Sequence, residues 1–279
     1  MTEATTWDFG ESVTGYHWAS TSPRGTVLLQ HGYGEYAERF VDRHDRLIPT
    51  LLDRGFDVYA FDLPGHGWSS GHRGTVDVVA AAEIHRAAKN ALAARGPVLL
   101  YGHSLGGLIT AHTLVDDPSG VSGAVLSSAA LPLDTGWWLR SIAHALSAIA
   151  PTAPVPLRRA PTSSLARDPG NAEIIAADPL MYRGGLTNRT AHTALRTVMD
   201  VWRLAPHCMA PALLLHGTAD QSTDPKGSER LAAQLTGPDV ALELVPDGRH
   251  ELLNDTDRRR TRDLVLSWLE RHDGRSMAI

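Results

Sequence analysis

Pro97-Val98-Leu99-Leu100-Tyr101-Gly102-His103-Ser104-Leu105-Gly106-Gly107-Leu108-Ile109-Thr110-Ala111 is the stretch on which the fold turns. An apolar run ends in a glycine-flanked serine and resumes with a helical period, so Ser104 stands where a strand bends sharply into a helix. Glycine on either side lets the chain turn tightly and lifts the hydroxyl clear of the backbone. The spelling G-x-S-x-G is weak by itself, because Gly67-Trp68-Ser69-Ser70-Gly71 repeats it. That copy follows Pro64 in a polar, glycine-rich stretch with no apolar run before it and no helical period after it. Ser69 therefore reads as a loop residue and Ser104 as the candidate nucleophile.

Outward from this turn, short β-branched and leucine-rich runs recur at 26–30, 56–61, 98–101, 121–126, 212–216 and 240–245. Helix-period stretches lie between most of them, at about 37–53, 75–95, 104–115 and 226–236, with another at 257–272. Strand alternating with helix implies an α/β protein with a mostly parallel central sheet covered on both faces. Ser12 to Trp18 offers an antiparallel edge hairpin. The alternation stops between 130 and 206, where prolines cluster and helical segments occur without strands. That segment is expected to be a cap inserted into a core made of 1–129 and 207–279. Its first helix, Trp137 to Ala150, carries Trp138, Ile142, Ala145, Leu146 and Ile149 on one side and Arg140, His144 and Ser147 on the other. The stripe is expected to pack on the core, with a lipid-facing stripe as the alternative. Asp273 to Ile279 is expected to be disordered.

A chain of 279 residues with 43% apolar content can bury a full core. Its 26 basic and 31 acidic side chains give a net charge of −5, which offers no basic field for a nucleic acid backbone. Arg258-Arg259-Arg260, beside Asp255, Asp257 and Asp263, reads as a solvated helix face. The single cysteine, Cys208, allows no internal disulfide and reads as a packed thiol. The polar start of the chain lacks a basic and apolar leader, and no apolar run approaches the length of a membrane span. A cytoplasmic protein is expected, with weak peripheral membrane contact through the cap; oligomeric state is left open. The histidines show no H-E-x-x-H or similar ligand spacing, so neither metal nor other cofactor is expected.

A serine hydroxyl needs a base to take its proton as it attacks, and a carboxylate to hold that base in the right tautomer. After Ser104, the run Ala212 to His216 leads into Gly217-Thr218-Ala219-Asp220, placing a carboxylate just past the end of a strand. Asp224 competes, but it precedes Pro225 at a helix entry, where capping explains it. The next strand leads through Pro246-Asp247-Gly248-Arg249 to His250, the candidate base. A tetrahedral oxyanion also needs backbone donors, each worth about 3 kcal/mol. The N–H groups of Leu105 and, after the first central strand, of Tyr33 in His31-Gly32-Tyr33-Gly34-Glu35 are the expected pair.

Five segments together resemble the monoacylglycerol lipases, members of the α/β-hydrolase family that also includes lysophospholipase-like esterases. They are residues 31–39, 62–73, 102–107, 216–220 and 250–254, joined by Asp178-Pro179-Leu180 in the cap. The resemblance runs from about residue 12 to residue 272. It implies a triad of Ser104, Asp220 and His250, with Tyr33 and Leu105 as oxyanion donors. It also places Glu35 and Arg39 near the glycerol end of the pocket, although the two read equally well as a charged pair at a helix entry. One departure is Leu253, where animal members carry a further histidine three residues after the catalytic one. The expected activity is hydrolysis of a lipid ester, a monoacylglycerol, through an acyl-enzyme. Lysophospholipase, thioesterase or other small-ester hydrolase is the alternative within enzymes. A non-catalytic ligand-binding protein of the same fold is the alternative outside them.

Overall fold

The computed structural model describes residues 3–133, 136–156 and 160–274. In chain order the strands are β1 (Thr5–Thr6), β2 (Gly15–Trp18), β3 (Gly25–Gln30), β4 (Phe56–Phe61), β5 (Val98–His103), β6 (Val121–Ser127), β7 (Ala212–Gly217) and β8 (Val240–Val245). The helices are α1 (Arg39–Asp42), α2 (Leu47–Asp53), α3 (Val78–Ala93), α4 (Leu105–Asp116), α5 (Trp137–Ile149), α6 (Gly170–Ala177), α7 (Asn188–Leu204), α8 (Pro225–Gln234) and α9 (Arg258–Arg271).

The strands form one sheet in the order β1-β2-β4-β3-β5-β6-β7-β8. β1 and β2 make an antiparallel edge, and from β4 onward every pairing is parallel. The central strands are apolar on both sides because both faces are covered. Side chains alternate across the sheet: Leu28 and Leu100 join α3 and α4 in one core, while Val27, Leu29, Leu99 and Tyr101 join α2 and α9 in the other.

β4 and β5 lie on opposite sides of β3. This reversal leaves a crevice beyond the carboxyl ends of β3 and β5, the usual ligand position in an open parallel sheet. The loops after β3, β5, β7 and β8 carry Tyr33, Ser104, Asp220 and His250, so four separated stretches of chain converge there.

The stretch expected as one helix over 37–53 is broken. α1 ends at Asp42, and His44, Asp45 and Arg46 take left-handed φ values of 50°, 49° and 55° before α2 begins. Such backbone is costly for residues with a Cβ. Tertiary contacts hold it: the His44 N–H donates to Asn254 Oδ1 at 2.6 Å, and Asp45 pairs with Arg262 at 2.9 Å. Asp273, expected to be disordered, is 6% exposed and accepts from Arg24 Nε at 2.8 Å, which ties the end of the chain to the start of β3. Residues 275–279 lie outside the described residues.

Between β6 and β7, the described residues form α5, α6, α7 and short turns, and none joins the sheet. α7 packs on α3 and α4, and α5 packs on α7. The expectation that the α5 stripe packs on the core is overturned. Ser147 is the buried residue of α5, whereas Trp137, Trp138 and Ile149 are 74%, 57% and 82% exposed. Arg140, Ala143 and Ala150, on the side of Ser147, are the less exposed positions. The small Ala143, Ser147 and Ala150 allow close approach to α7, and the apolar side meets no packed core: Ile142 and Leu146 border an open cavity, while Trp137, Trp138 and Ile149 face solvent. Amphipathicity marks an apolar face without saying what covers it.

Candidate active site

Ser104 sits between β5 and α4 with φ 55° and ψ −118°, strained backbone that projects its side chain above the sheet. The crowding explains the glycines. A Cβ on Gly102 would lie 2.4 Å from Thr110 Oγ1, and one on Gly106 would lie 2.4 Å from the carbonyl oxygens of Gln30 and His31. Either substitution would push the turn away from its neighbours. Ser69, by contrast, lies in a loop where its hydroxyl donates to Asp62 O at 2.6 Å and accepts from Thr14 N–H at 2.8 Å.

His250 Nε2 is 2.9 Å from Ser104 Oγ, and His250 Nδ1 is 2.8 Å from Asp220 Oδ2. The hydroxyl thus donates to one ring nitrogen while the other donates to the carboxylate. Asp220 Oδ1 accepts from the Ser222 and Thr223 amides at 2.7 and 3.1 Å, and Thr223 Oγ1 donates to Oδ2 at 2.8 Å. Burial pushes the Asp220 carboxyl up, but His250 and His216 outweigh it and hold the group far below the ordinary carboxylate range. For His250, burial favours the neutral ring; the charge and hydrogen bond of Asp220 prevail, so its pKa is raised above 6.5. Asp224 is the N-cap of α8, accepting from Lys226 N–H at 3.0 Å.

The other wall of the crevice is the turn after β3. Gly32 packs so closely on the nucleophile that an added Cβ would lie 3.0 Å from Ser104 Cβ. The next amide, Tyr33 N–H, and Leu105 N–H at the first turn of α4, where no intrahelical carbonyl is available, belong to residues lining the same cavity. The Tyr33 hydroxyl lies 2.7 Å from Gly74 O and 2.9 Å from Gly185 O, tying the turn to the segment above it. Tyr182 N–H to Gly34 O at 2.8 Å and Tyr36 hydroxyl to Asp178 Oδ2 at 2.8 Å continue that seam.

Above Ser104 opens a cavity of about 790 Å³, within the usual range for small-molecule sites. Leu139, Ile142 and Leu146 of α5, Leu195 of α7, and Leu131 and Leu186 from the loops before these helices give it an apolar wall, while Glu35, Asn188 and Glu251 supply polar positions. His103, buried beside the nucleophile, is pulled down to about 3 by desolvation, so it stays neutral near pH 7. Cys208 is buried elsewhere, where desolvation raises its thiol. Among the described residues no group of three or more His, Cys, Asp or Glu side chains is placed to hold a metal. No helix among them is long and apolar enough to cross a membrane.

The expectation for Glu35 and Arg39 divides. Glu35 lines the cavity, but Arg39 does not; it is 3% exposed and lies behind the wall. Its guanidinium meets Glu35 Oε2 at 2.7 Å and grips both oxygens of Glu251 at 3.0 Å. Burial raises each carboxyl, and the partners opposite reverse this: His44 and then Arg39 lower Glu35, and Arg39 lowers Glu251. Glu251, His44, Thr223 and His216 were missed in the sequence. For Thr223 a signal existed: an aspartate followed two and three residues on by Ser222 and Thr223 is the pattern of an Asx turn. Glu251 pairs across 212 residues of chain, and no local pattern carries that.

The sheet with its reversal, the elbow and the residues beyond the strand ends define an α/β-hydrolase. The pattern of the family described as serine aminopeptidase, S33, matches residues 21–257, and the chain belongs to that family. It is 31% identical over 258 residues to a monoacylglycerol lipase of Mycolicibacterium smegmatis, covering 90% of this chain and 90% of that one. The monoglyceride lipase of Homo sapiens is 30% identical over 248 residues, covering 85% of this chain and 78% of its own length. A crystal structure of a Paleococcus ferrophilus monoacylglycerol lipase superimposes with a TM-score of 0.84 at 31% identity, covering 94% of this chain and 100% of that one. The resemblance carried by the five motifs is thereby borne out.

Proposed function

We propose that the protein is a serine esterase that hydrolyses monoacylglycerols. The observation that carries this is the continuous hydrogen-bonded set Ser104–His250–Asp220 opening directly into an apolar cavity. Ser104 Oγ attacks the ester carbonyl while His250 Nε2 takes its proton. The Tyr33 and Leu105 amides bind the oxyanion. His250 then returns the proton to the departing glycerol, leaving the acyl group on Ser104. Water, deprotonated by His250, releases the fatty acid and restores the serine. Asp220 keeps the imidazole in the tautomer that both steps require.

Residues 130–206 act as a cap over this site, inserted in a core of 1–129 and 207–279. The support is that the described part of the segment adds no strand to the sheet yet supplies most of the cavity's apolar wall. An acyl chain fits between α5 and α7, with the polar head toward Glu35. The exposed Trp137, Trp138 and Ile149, continuous with the cavity residues Ile142 and Leu146, give the cap weak contact with a lipid surface. The relatives named monoacylglycerol and monoglyceride lipases support the substrate class. A single buried thiol suits a cytoplasmic setting.

The test is a panel of monoacylglycerols, diacylglycerols, lysophospholipids, acyl-CoA and an aminoacyl p-nitroanilide under one assay. Monoacylglycerols should give the highest kcat/KM. A higher value for any other member would reassign the substrate, and no turnover at all would favour a ligand-binding protein.

A further inference from the structure

Arg39 lies nearly out of solvent and outside the cavity lining, yet it joins two loops that the reaction needs. On one side it pairs with Glu35, whose other oxygen accepts the Gly32 N–H at 2.7 Å, one residue before Tyr33. On the other it holds Glu251, the residue after His250, through two hydrogen bonds of 3.0 Å. Glu251 is further fixed by Asn171 and Asn254, which donate to Oε2 at 3.0 and 2.7 Å, and by its own N–H to Leu165 O at 2.7 Å. We propose that Arg39 is a positioning residue that keeps the oxyanion turn and the histidine loop in register. This rests on the esterase reading and deepens it, replacing a head-group contact for Arg39 with a role through Glu35 and Glu251.

The physical case is the planarity of the guanidinium. A fork that meets two carboxylates fixes their separation and orientation, which the point charge of a lysine cannot do. Without the cation, two buried carboxylates face each other, Glu35 keeping the Gly32 amide and His44 and Glu251 keeping Asn171 and Asn254, with no guanidinium between them; they must separate or take up protons. Either response moves Gly32 or His250. The titratable and charged groups facing this cluster include His44, His103 and His250 beside Glu35 and Glu251, with the phenols of Tyr36 toward Arg39 and Tyr101 toward Glu35.

The experiment compares Arg39→Lys and Arg39→Met with wild type on a short soluble p-nitrophenyl ester and on a monoacylglycerol, with Tm measured in parallel. Because displacement of reacting groups by about 1 Å can cost about 100-fold, kcat should fall about 10-fold in Arg39→Lys and about 100-fold in Arg39→Met. KM should stay within about 2-fold for both substrates, as expected for an interaction that acts in the transition state. The acid limb of kcat should move to higher pH in Arg39→Met, which loses the charge that lowers both carboxyls, and stay near that of wild type in Arg39→Lys. Arg39→Lys keeps the buried charge, so its kcat decides the matter if Arg39→Met does not fold. Folded variants with kcat within about 2-fold of wild type would overturn the proposal, as would a rise in KM confined to the monoacylglycerol, which means substrate contact. Failure of the esterase reading itself is distinguishable: wild type would turn over no ester, or Ser104→Ala would be as active as wild type.

Discussion

Asp220 has both carboxylate oxygens occupied by His250, Thr223 and the Ser222 amide, so its charge is fixed in place opposite the imidazole. Asp220→Asn should lower kcat by about 10⁴-fold, because an amide permits the wrong histidine tautomer. Asp224→Asn, which alters only a helix cap, should stay within a few-fold. The reverse ranking in a steady-state assay would move the acid to Asp224. The same contact sets the pH profile. Only neutral His250 can accept the serine proton, and its pKa is raised, so activity should climb with pH through a midpoint above 6.5. A midpoint at or below 6.5, with chemistry rate-limiting, would contradict the pairing. Ser104, Asp220 and His250 were legible one by one, because each follows a recognisable strand. The partners that tune them were not, since Arg39 to Glu251 is a long-range pair between buried charges.

At the scale of elements, α5 is where sequence and structure part. Its period and its apolar side were readable, but which side meets protein depends on the surface α7 presents, and that is a tertiary fact. With Trp138 and Ile149 facing solvent, replacing both with serine should raise KM for a long-chain monoacylglycerol in micelles while sparing a short soluble ester. Each large apolar side chain transferred out of water contributes about 1.5–3 kcal/mol, so an effect of 10-fold or more is expected. Loss of both activities together with a lowered Tm would mean that the stripe supports the fold. The broken helix after Glu38 teaches the same lesson from the opposite direction. Its helical pattern was real, yet Asn254 and Arg262 hold His44 and Asp45 in a left-handed bend. β3 to β8 and α3, α4, α8 and α9 were legible because burial on a two-sided sheet imposes continuous apolar runs and helical stripes, whereas the exposed two-residue β1 carries no period to read.

For the whole molecule, the charges buried around the site make stability depend on acid. Glu35 and Glu251 are lowered in the folded state from an ordinary value of 4.5, so they contribute stability that is fully present above 4.5. That contribution is lost as pH falls through their folded values, and Asp220 behaves likewise. Tm should therefore fall steeply below pH 4.5, and Glu251→Gln should be less stable than wild type at pH 7 yet lose less on acidification. A pH slope in the variant equal to that of wild type would remove Glu251 from the account. The molecule's shape follows the same economy: four loops that are far apart in sequence meet because a parallel sheet puts all its carboxyl ends on one edge.

Glycerol release from a monoacylglycerol by wild type and by Ser104→Ala, at matched Tm, decides whether the ester is cleaved at Ser104. Wild type should turn over steadily, and the variant should be slower by about 10⁴-fold or more, because the nucleophile that forms the acyl-enzyme is gone. Equal rates, or a wild type that releases no glycerol, would contradict it.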